Sequence, residues 1–131
     1  MCGIIGVFNQ ADEKRVDKDI LLQMLGLIRH RGPDGFGIYQ DERVSLGSTR
    51  LSIIDISGGD QPISNEDGSV WIVFNGEIFN YIELRPSLEA KGHRFTTNSD
   101  TEVIVHLFEE YGAGCLKYLN GQFAFAIWDT Q

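Results

Sequence analysis

The sequence predicts an α+β domain built on antiparallel sheets. Two patterns carry this reading: short apolar, β-branched runs come in groups, and amphipathic segments with capping residues separate the groups. A third observation is length. The 131 residues suit one domain with a real core, and no repeat, low-complexity tract or linker divides them. Ile4–Phe8 reads as a buried first strand. Asp17 can cap a helix carrying Ile20, Leu21, Met24, Leu25 and Ile28 on one face, which should stop at Arg31-Gly32-Pro33-Asp34-Gly35. Phe36–Tyr39 and Val44–Leu46 are strands flanking the polar turn 40–43, and Leu51–Ile56 is a further apolar run. Ser57–Asp67 has loop composition, and Val70–Phe74 is a strand expected to end at Asn75-Gly76. Tyr81–Lys91 is helical in pattern and closed by Gly92, with Pro86 expected to shift or kink its start. Ser99-Asp100-Thr101-Glu102 is a capping box, opening a helix that turns Val103, Ile104, Leu107, Phe108 and Tyr111 to the core. Phe123–Trp128 is a last, almost wholly apolar strand.

Composition narrows the function. Eleven basic residues against nineteen acidic ones give a net charge of −8 and a pI near 4.7. Such a surface repels phosphate backbones and anionic headgroups, so neither a nucleic acid nor a membrane is an expected partner. No apolar run reaches the roughly 18 residues of a spanning helix. The first basic residue, Lys14, follows the apolar start instead of preceding it, unlike a signal peptide. Two cysteines, Cys2 and Cys115, make no disulfide framework, so the expected compartment is the cytoplasm.

Four features could carry chemistry, and each also has an ordinary structural explanation. Removal of Met1 would leave Cys2 with a thiol and a free α-amine, and an amine of pKa about 7.7–8.0 can act as a base near neutrality. The alternative is a small residue opening a buried strand. Asn75-Gly76 could place a side-chain amide beside a backbone N–H as an oxyanion hole, or could form a two-residue hairpin turn. Arg50 could grip a carboxylate with its planar fork, or pair with one of the nineteen acids. Asp100, in the first turn of a capped helix, could bind an ammonium or simply complement the helix dipole. His30, His93 and His106 show no metal-ligand spacing, so no metal is expected. The glycines after the first helix form no phosphate loop. Cys115 reads as a packed free thiol.

Taken together these segments match one family. Met1-Cys2-Gly3-Ile4-Ile5-Gly6, His30-Arg31-Gly32-Pro33-Asp34-Gly35, Arg50-Leu51-Ser52-Ile53-Ile54-Asp55 and Gln61-Pro62 occur in order. They are followed by Phe74-Asn75-Gly76-Glu77-Ile78-Phe79-Asn80-Tyr81, Thr97-Asn98-Ser99-Asp100-Thr101-Glu102 and Leu119-Asn120-Gly121-Gln122-Phe123-Ala124-Phe125-Ala126. Over essentially its whole length the chain resembles the N-terminal glutaminase domain of glutamine-hydrolysing asparagine synthetases, class II amidotransferases of the N-terminal-nucleophile hydrolase type. Glucosamine-6-phosphate synthases share the leading Cys-Gly-Ile and the Asn-Gly, but differ where this chain has His30–Asp34 and Ser48–Leu51.

The resemblance implies a four-layer αββα sandwich. It implies that Cys2 attacks the side-chain amide of L-glutamine with its own α-amine as base, while Asn75 and Gly76 hold the oxyanion. Arg50 would bind the substrate α-carboxylate, Asp100 helped by Glu77 its α-ammonium, and backbone around Leu51 and Ile53 would line the pocket. No cofactor is needed for this half-reaction; ATP and Mg belong to a synthetase domain expected elsewhere in a parent chain. A retained Met1 would block the α-amine. The family domain runs beyond Gln131, so residues 1–131 are expected to be a truncated amidotransferase domain, incomplete at the C-terminus, whose open strand edges predict self-association. Two other readings share these residues: an amidotransferase of the same branch with a different ammonia acceptor, and a non-catalytic glutamine-binding module.

Overall fold

A computed structural model describes residues 2–10, 15–55 and 58–131. Met1, Ile56 and Ser57 fall outside the described residues, and with them the question of Met1 removal. The chain forms strand β1 (Gly3–Phe8), helix α1 (Lys18–Leu27), strands β2 (Gly35–Gln40), β3 (Val44–Arg50), β4 (Ile63–Ser64) and β5 (Val70–Ile78), helices α2 (Tyr81–Ala90) and α3 (Asp100–Tyr111), and strand β6 (Gly121–Asp129).

Two antiparallel three-stranded sheets result, ordered β1-β3-β2 and β4-β5-β6. β3 is central in the first, and all seven of its residues are buried. Helix α1 covers the outer face of this sheet through Leu21 and Leu25, each worth about 1.5–3 kcal/mol of burial. Val44 and Leu46 of β3 meet Val73 and Trp71 of β5 between the sheets. The opposite face of β5 sends Val70, Ile72, Phe74 and Ile78 against Ile104 and Val105 of α3. Helix α2 packs on α3 around Leu88, Val103 and Leu107. The order of layers is therefore helix, sheet, sheet, helices: the αββα sandwich.

Several local expectations are corrected. Helix α1 is capped by Asp17, whose side chain accepts from the Asp19 N–H, but it ends at Leu27 and a 3-10 turn over Arg29–Arg31 follows. Ile20 is half exposed, because the buried stripe centres on Leu21 and Leu25. The loop-like stretch before residue 67 contains β4. Helix α2 starts at Tyr81 and runs through Pro86; the carbonyl that loses its donor belongs to Ile82, an exposed residue, so water can serve it. Ser99 caps α3 by accepting from the Thr101 N–H. Glu102 does not complete the box: its carboxylate turns to Thr96 and Thr97 instead. Tyr111 faces outward and stacks on Tyr118 at 4.4 Å.

The largest correction concerns β5, which continues through Asn75-Gly76 to Ile78 with β6 paired alongside throughout. Asn75-Gly76 is not a hairpin turn. Glycine is required there because a Cβ at Gly76 would lie 2.2 Å from the Gln122 carbonyl oxygen, and its φ of +155° disfavours other residues.

Candidate active site

A pocket opens where one end of the sandwich is bordered by residues 51–55 and 58–61 and the start of α3. It is lined by Cys2, Arg50, Leu51, Ile53, Gly76, Glu77 and Asp100, together with Gln61 and Gln122. The first sheet supplies the thiol and the guanidinium; the second sheet and its helix supply the two carboxylates.

Cys2 precedes β1, and its sulfur lies against the backbone of Leu51. The Leu51 N–H donates to Sγ at 3.4 Å, and the Leu51 carbonyl lies at 3.8 Å. Arg31 Nε donates to the Cys2 carbonyl at 3.2 Å, and the Gly3 N–H donates to Thr49 Oγ1 at 3.1 Å. The loop after β3 is pinned in turn by Asp34, whose carboxylate accepts from the Ser52 N–H at 2.7 Å while its own N–H donates to the Arg50 carbonyl. Close approach makes this possible, since a Cβ at Gly32 would sit 2.4 Å from the Thr49 carbonyl oxygen.

Arg50 is buried and engaged within the protein. Nη1 pairs with the Asp60 carboxylate at 2.5 Å, and Nη2 donates to the Asp55 carbonyl. Asp60 itself is largely exposed. Asp55, at φ +49°, accepts from the Gly58 N–H at 3.1 Å and from the Asn98 N–H at 2.8 Å, tying the loop after β3 to the residues before α3.

Asp100 is 4% exposed. Its Oδ2 accepts from the Ile78 N–H at 2.9 Å, which fastens the end of β5 to the start of α3. Burial raises its carboxyl above the usual range and the neighbouring Glu77 charge adds to this, against the N–H groups of Ile78 and Thr101.

The free edge of β5 is capped at intervals. The Phe74 N–H donates to Gln61 Oε1 at 2.6 Å, and the Ile78 N–H donates to Asp100. Strand alternation places the Gly76 N–H between these two on the same edge, beside the pocket. Asn75 differs from the other seven expected residues in not lining the pocket. It lies on the face of β5 that carries Trp71 and Val73 toward the first sheet, and its Oδ1 is buried without a hydrogen-bond partner among the described residues. An orphan of this kind costs about 1–3 kcal/mol.

The whole chain, residues 1–131, matches the family model of the glutamine amidotransferase domain. The chain belongs to that family. This glutamine amidotransferase domain is 50% identical over 98% of its length to "Asparagine synthetase [glutamine-hydrolyzing] 1" of Bacillus subtilis, and 44% identical over all of it to the protein of the same name from Arabidopsis thaliana. It spans 21% and 22% of those relatives, about a fifth of their length. Among solved structures, glutamine phosphoribosylpyrophosphate amidotransferase from B. subtilis superposes over 99% of this chain and 35% of its own with a TM-score of 0.75 at 22% identity, a likeness of fold. Among the described residues of the amidotransferase domain no helix is long and apolar enough to cross a membrane.

Sequence reasoning passed over Arg31, Asp34, Asp55, Gln61 and Gln122. The His30–Gly35 motif was visible, but its work is done through backbone contacts that only the fold brings together. The amidotransferase domain also brings His93 and His106 together with Glu66 and Glu109, although their spacing in the sequence matches no ligand motif.

Proposed function

We propose that this domain hydrolyses the side-chain amide of L-glutamine to glutamate and ammonia through a Cys2 thioester. The observation that carries the reading is the Cys2 sulfur in a pocket bordered by one guanidinium, two carboxylates and the strand edge at Gly76. Once Met1 is removed, the Cys2 α-amine takes the thiol proton, and the thiolate attacks the amide carbon. The Leu51 N–H, donating to Sγ, fixes the position of the sulfur. Oxygen charge developing on the amide is met by the Gly76 N–H and by the Asn75 side chain after a rotation into the pocket, each worth roughly 3–4 kcal/mol. The protonated amine gives its proton to the leaving nitrogen, ammonia departs, and water hydrolyses the thioester with the amine again as base. Arg50 binds the substrate α-carboxylate, and Asp100 with Glu77 binds the α-ammonium. Leu51 and Ile53 wall the site. No cofactor enters this reaction.

In the longer parent protein, the ammonia would pass to an ATP- and Mg-dependent synthetase domain that makes asparagine; the names and lengths of the relatives support this. Free Cys2 and Cys115 are in keeping with a cytoplasmic protein.

The test is intact mass on a chain whose N-terminus is Cys2, incubated with the glutamine analogue 6-diazo-5-oxo-norleucine. One adduct on Cys2, blocked by L-glutamine and lost in Cys2→Ala, is the expected result. Absence of an adduct in the folded, processed chain overturns the reading.

A further inference from the structure

We propose a divalent-cation site of the zinc type formed by His93, His106, Glu66 and Glu109, outside the lining of the cysteine pocket and structural in role. One ligand atom from each residue lies within 4.8 Å of all the others. His106 Nδ1 is 2.8 Å from Glu109 Oε2 and 3.9 Å from Glu66 Oε2. His93 Nδ1 is 3.5 Å from Glu109 Oε2 and 4.0 Å from Glu66 Oε1. The spacings to Glu109 Oε2 and from His106 to Glu66 Oε2, 2.8 to 3.9 Å, straddle the edge of about 3.3 Å in a tetrahedron with bonds of about 2.0–2.1 Å. Two neutral imidazoles and two carboxylates balance a charge of +2.

The surroundings hold these groups in the orientation a metal requires. Both rings turn Nδ1 inward and face a carboxylate with Nε2: His93 Nε2 lies 3.1 Å from Glu110 Oε1, and His106 Nε2 lies 3.8 Å from Glu102 Oε1. Ligating histidines are commonly backed in this way. Glu109 is steadied through its other oxygen by Asn65 Nδ2 at 2.8 Å, and Glu66 by the Arg94 N–H at 2.5 Å. The independent sign is His106 itself, fully buried, with Nε2 lacking a hydrogen-bond partner among the described residues. With a cation on Nδ1, the remaining ring proton sits on Nε2 and points at the Glu102 carboxylate, 3.8 Å away. The site would fasten the turn at Glu66 and the segment after α2 to α3, just before the residues that lead to Asp100.

The test uses the full 131-residue chain, freed of metal by chelator, titrated with Co²⁺ followed spectroscopically and displaced by Zn²⁺. The expected result is one ion per chain with four-coordinate d–d bands, no thiolate charge-transfer band, and a Tm raised by the ion. His93→Gln should weaken binding at least 100-fold, and Glu110→Gln, which removes the backing of His93 together with an exposed pair to Lys91, by roughly 10–100-fold. Both variants should match the wild-type Tm in chelator; if His93→Gln does not fold, Glu110→Gln decides. A folded wild-type chain that binds no ion, binds through thiolate, or binds equally well in these variants overturns the site.

Discussion

Asp100 and Glu102 sit two residues apart at the start of α3 and are almost equally buried, 4% and 1% exposed, yet their carboxyls move in opposite directions. Burial raises both. At Glu102 it is outweighed by His106 and by the N–H and hydroxyl groups of Thr96 and Thr97, which hold the carboxyl down at about 2. Asp100 has fewer donors and an acidic neighbour, so burial wins and its carboxyl is raised. Donor supply therefore decides the sign, and burial does not. Glu102 is saturated by its own protein and serves structure. Asp100 stands at a pocket with bonding capacity to spare, as a carboxylate must if a ligand's ammonium is to complete it.

The sharpest way to break this contrast is Glu102→Gln. A carboxyl displaced from 4.5 to about 2 is worth about 3 kcal/mol of stability. Since the folded value lies below the ordinary one, that contribution is fully present above pH 4.5 and is lost as the pH falls toward 2. Urea unfolding in chelator should therefore find Glu102→Gln about 3 kcal/mol less stable than wild type at pH 7, the gap narrowing through that window. A gap that does not change with pH would show that the donors are not the cause.

Asp100→Asn should do the reverse. Asparagine can still accept from the Ile78 N–H, and the variant sheds a buried charge whose raised carboxyl opposes folding at neutral pH. Its stability should equal or slightly exceed wild type at pH 7, with any gain fading as the pH falls from the raised value to the ordinary aspartate value. The loss should appear in KM for glutamine, by roughly 10–100-fold for a charged hydrogen bond worth about 1.5–3 kcal/mol, with kcat changed far less. A variant destabilised as much as Glu102→Gln, with KM unmoved, would make Asp100 a second structural carboxylate.

What the sequence made legible follows the range of the interaction. Asp17 and Ser99 cap their helices as read, because a cap is settled within three residues. The end of β5 was misread because Asn-Gly is locally a turn pair, and only the remote β6 keeps the strand extended through Gly76. Cys2, Arg50, Gly76 and Asp100 were singled out by their chemistry and the fold gathers them. The partners that position them, such as Arg31 on the Cys2 carbonyl and Asp55 on the Asn98 N–H, act through backbone contacts and leave no spacing signal. The histidine–glutamate cluster was invisible for a related reason. Its members come from the turn after β4, the segment after α2 and two turns of α3, at intervals that match no ligand motif.

The smallest effect tests a third carboxylate. Asp60 occupies Arg50, the group assigned to the substrate carboxylate, so ligand and Asp60 compete for one guanidinium. Asp60 is largely exposed, and an ion pair with such a partner contributes only about 0.2–1 kcal/mol. That is weak enough to be exchanged for a substrate carboxylate yet large enough to be measured. Asp60→Asn should lower KM for glutamine by up to about 5-fold, with kcat and stability nearly unchanged. Were KM to rise instead, Asp60 would be orienting Arg50 for the ligand, and the division between carboxylates that hold the fold and carboxylates that await a substrate would need a third kind, one that prepares its partner.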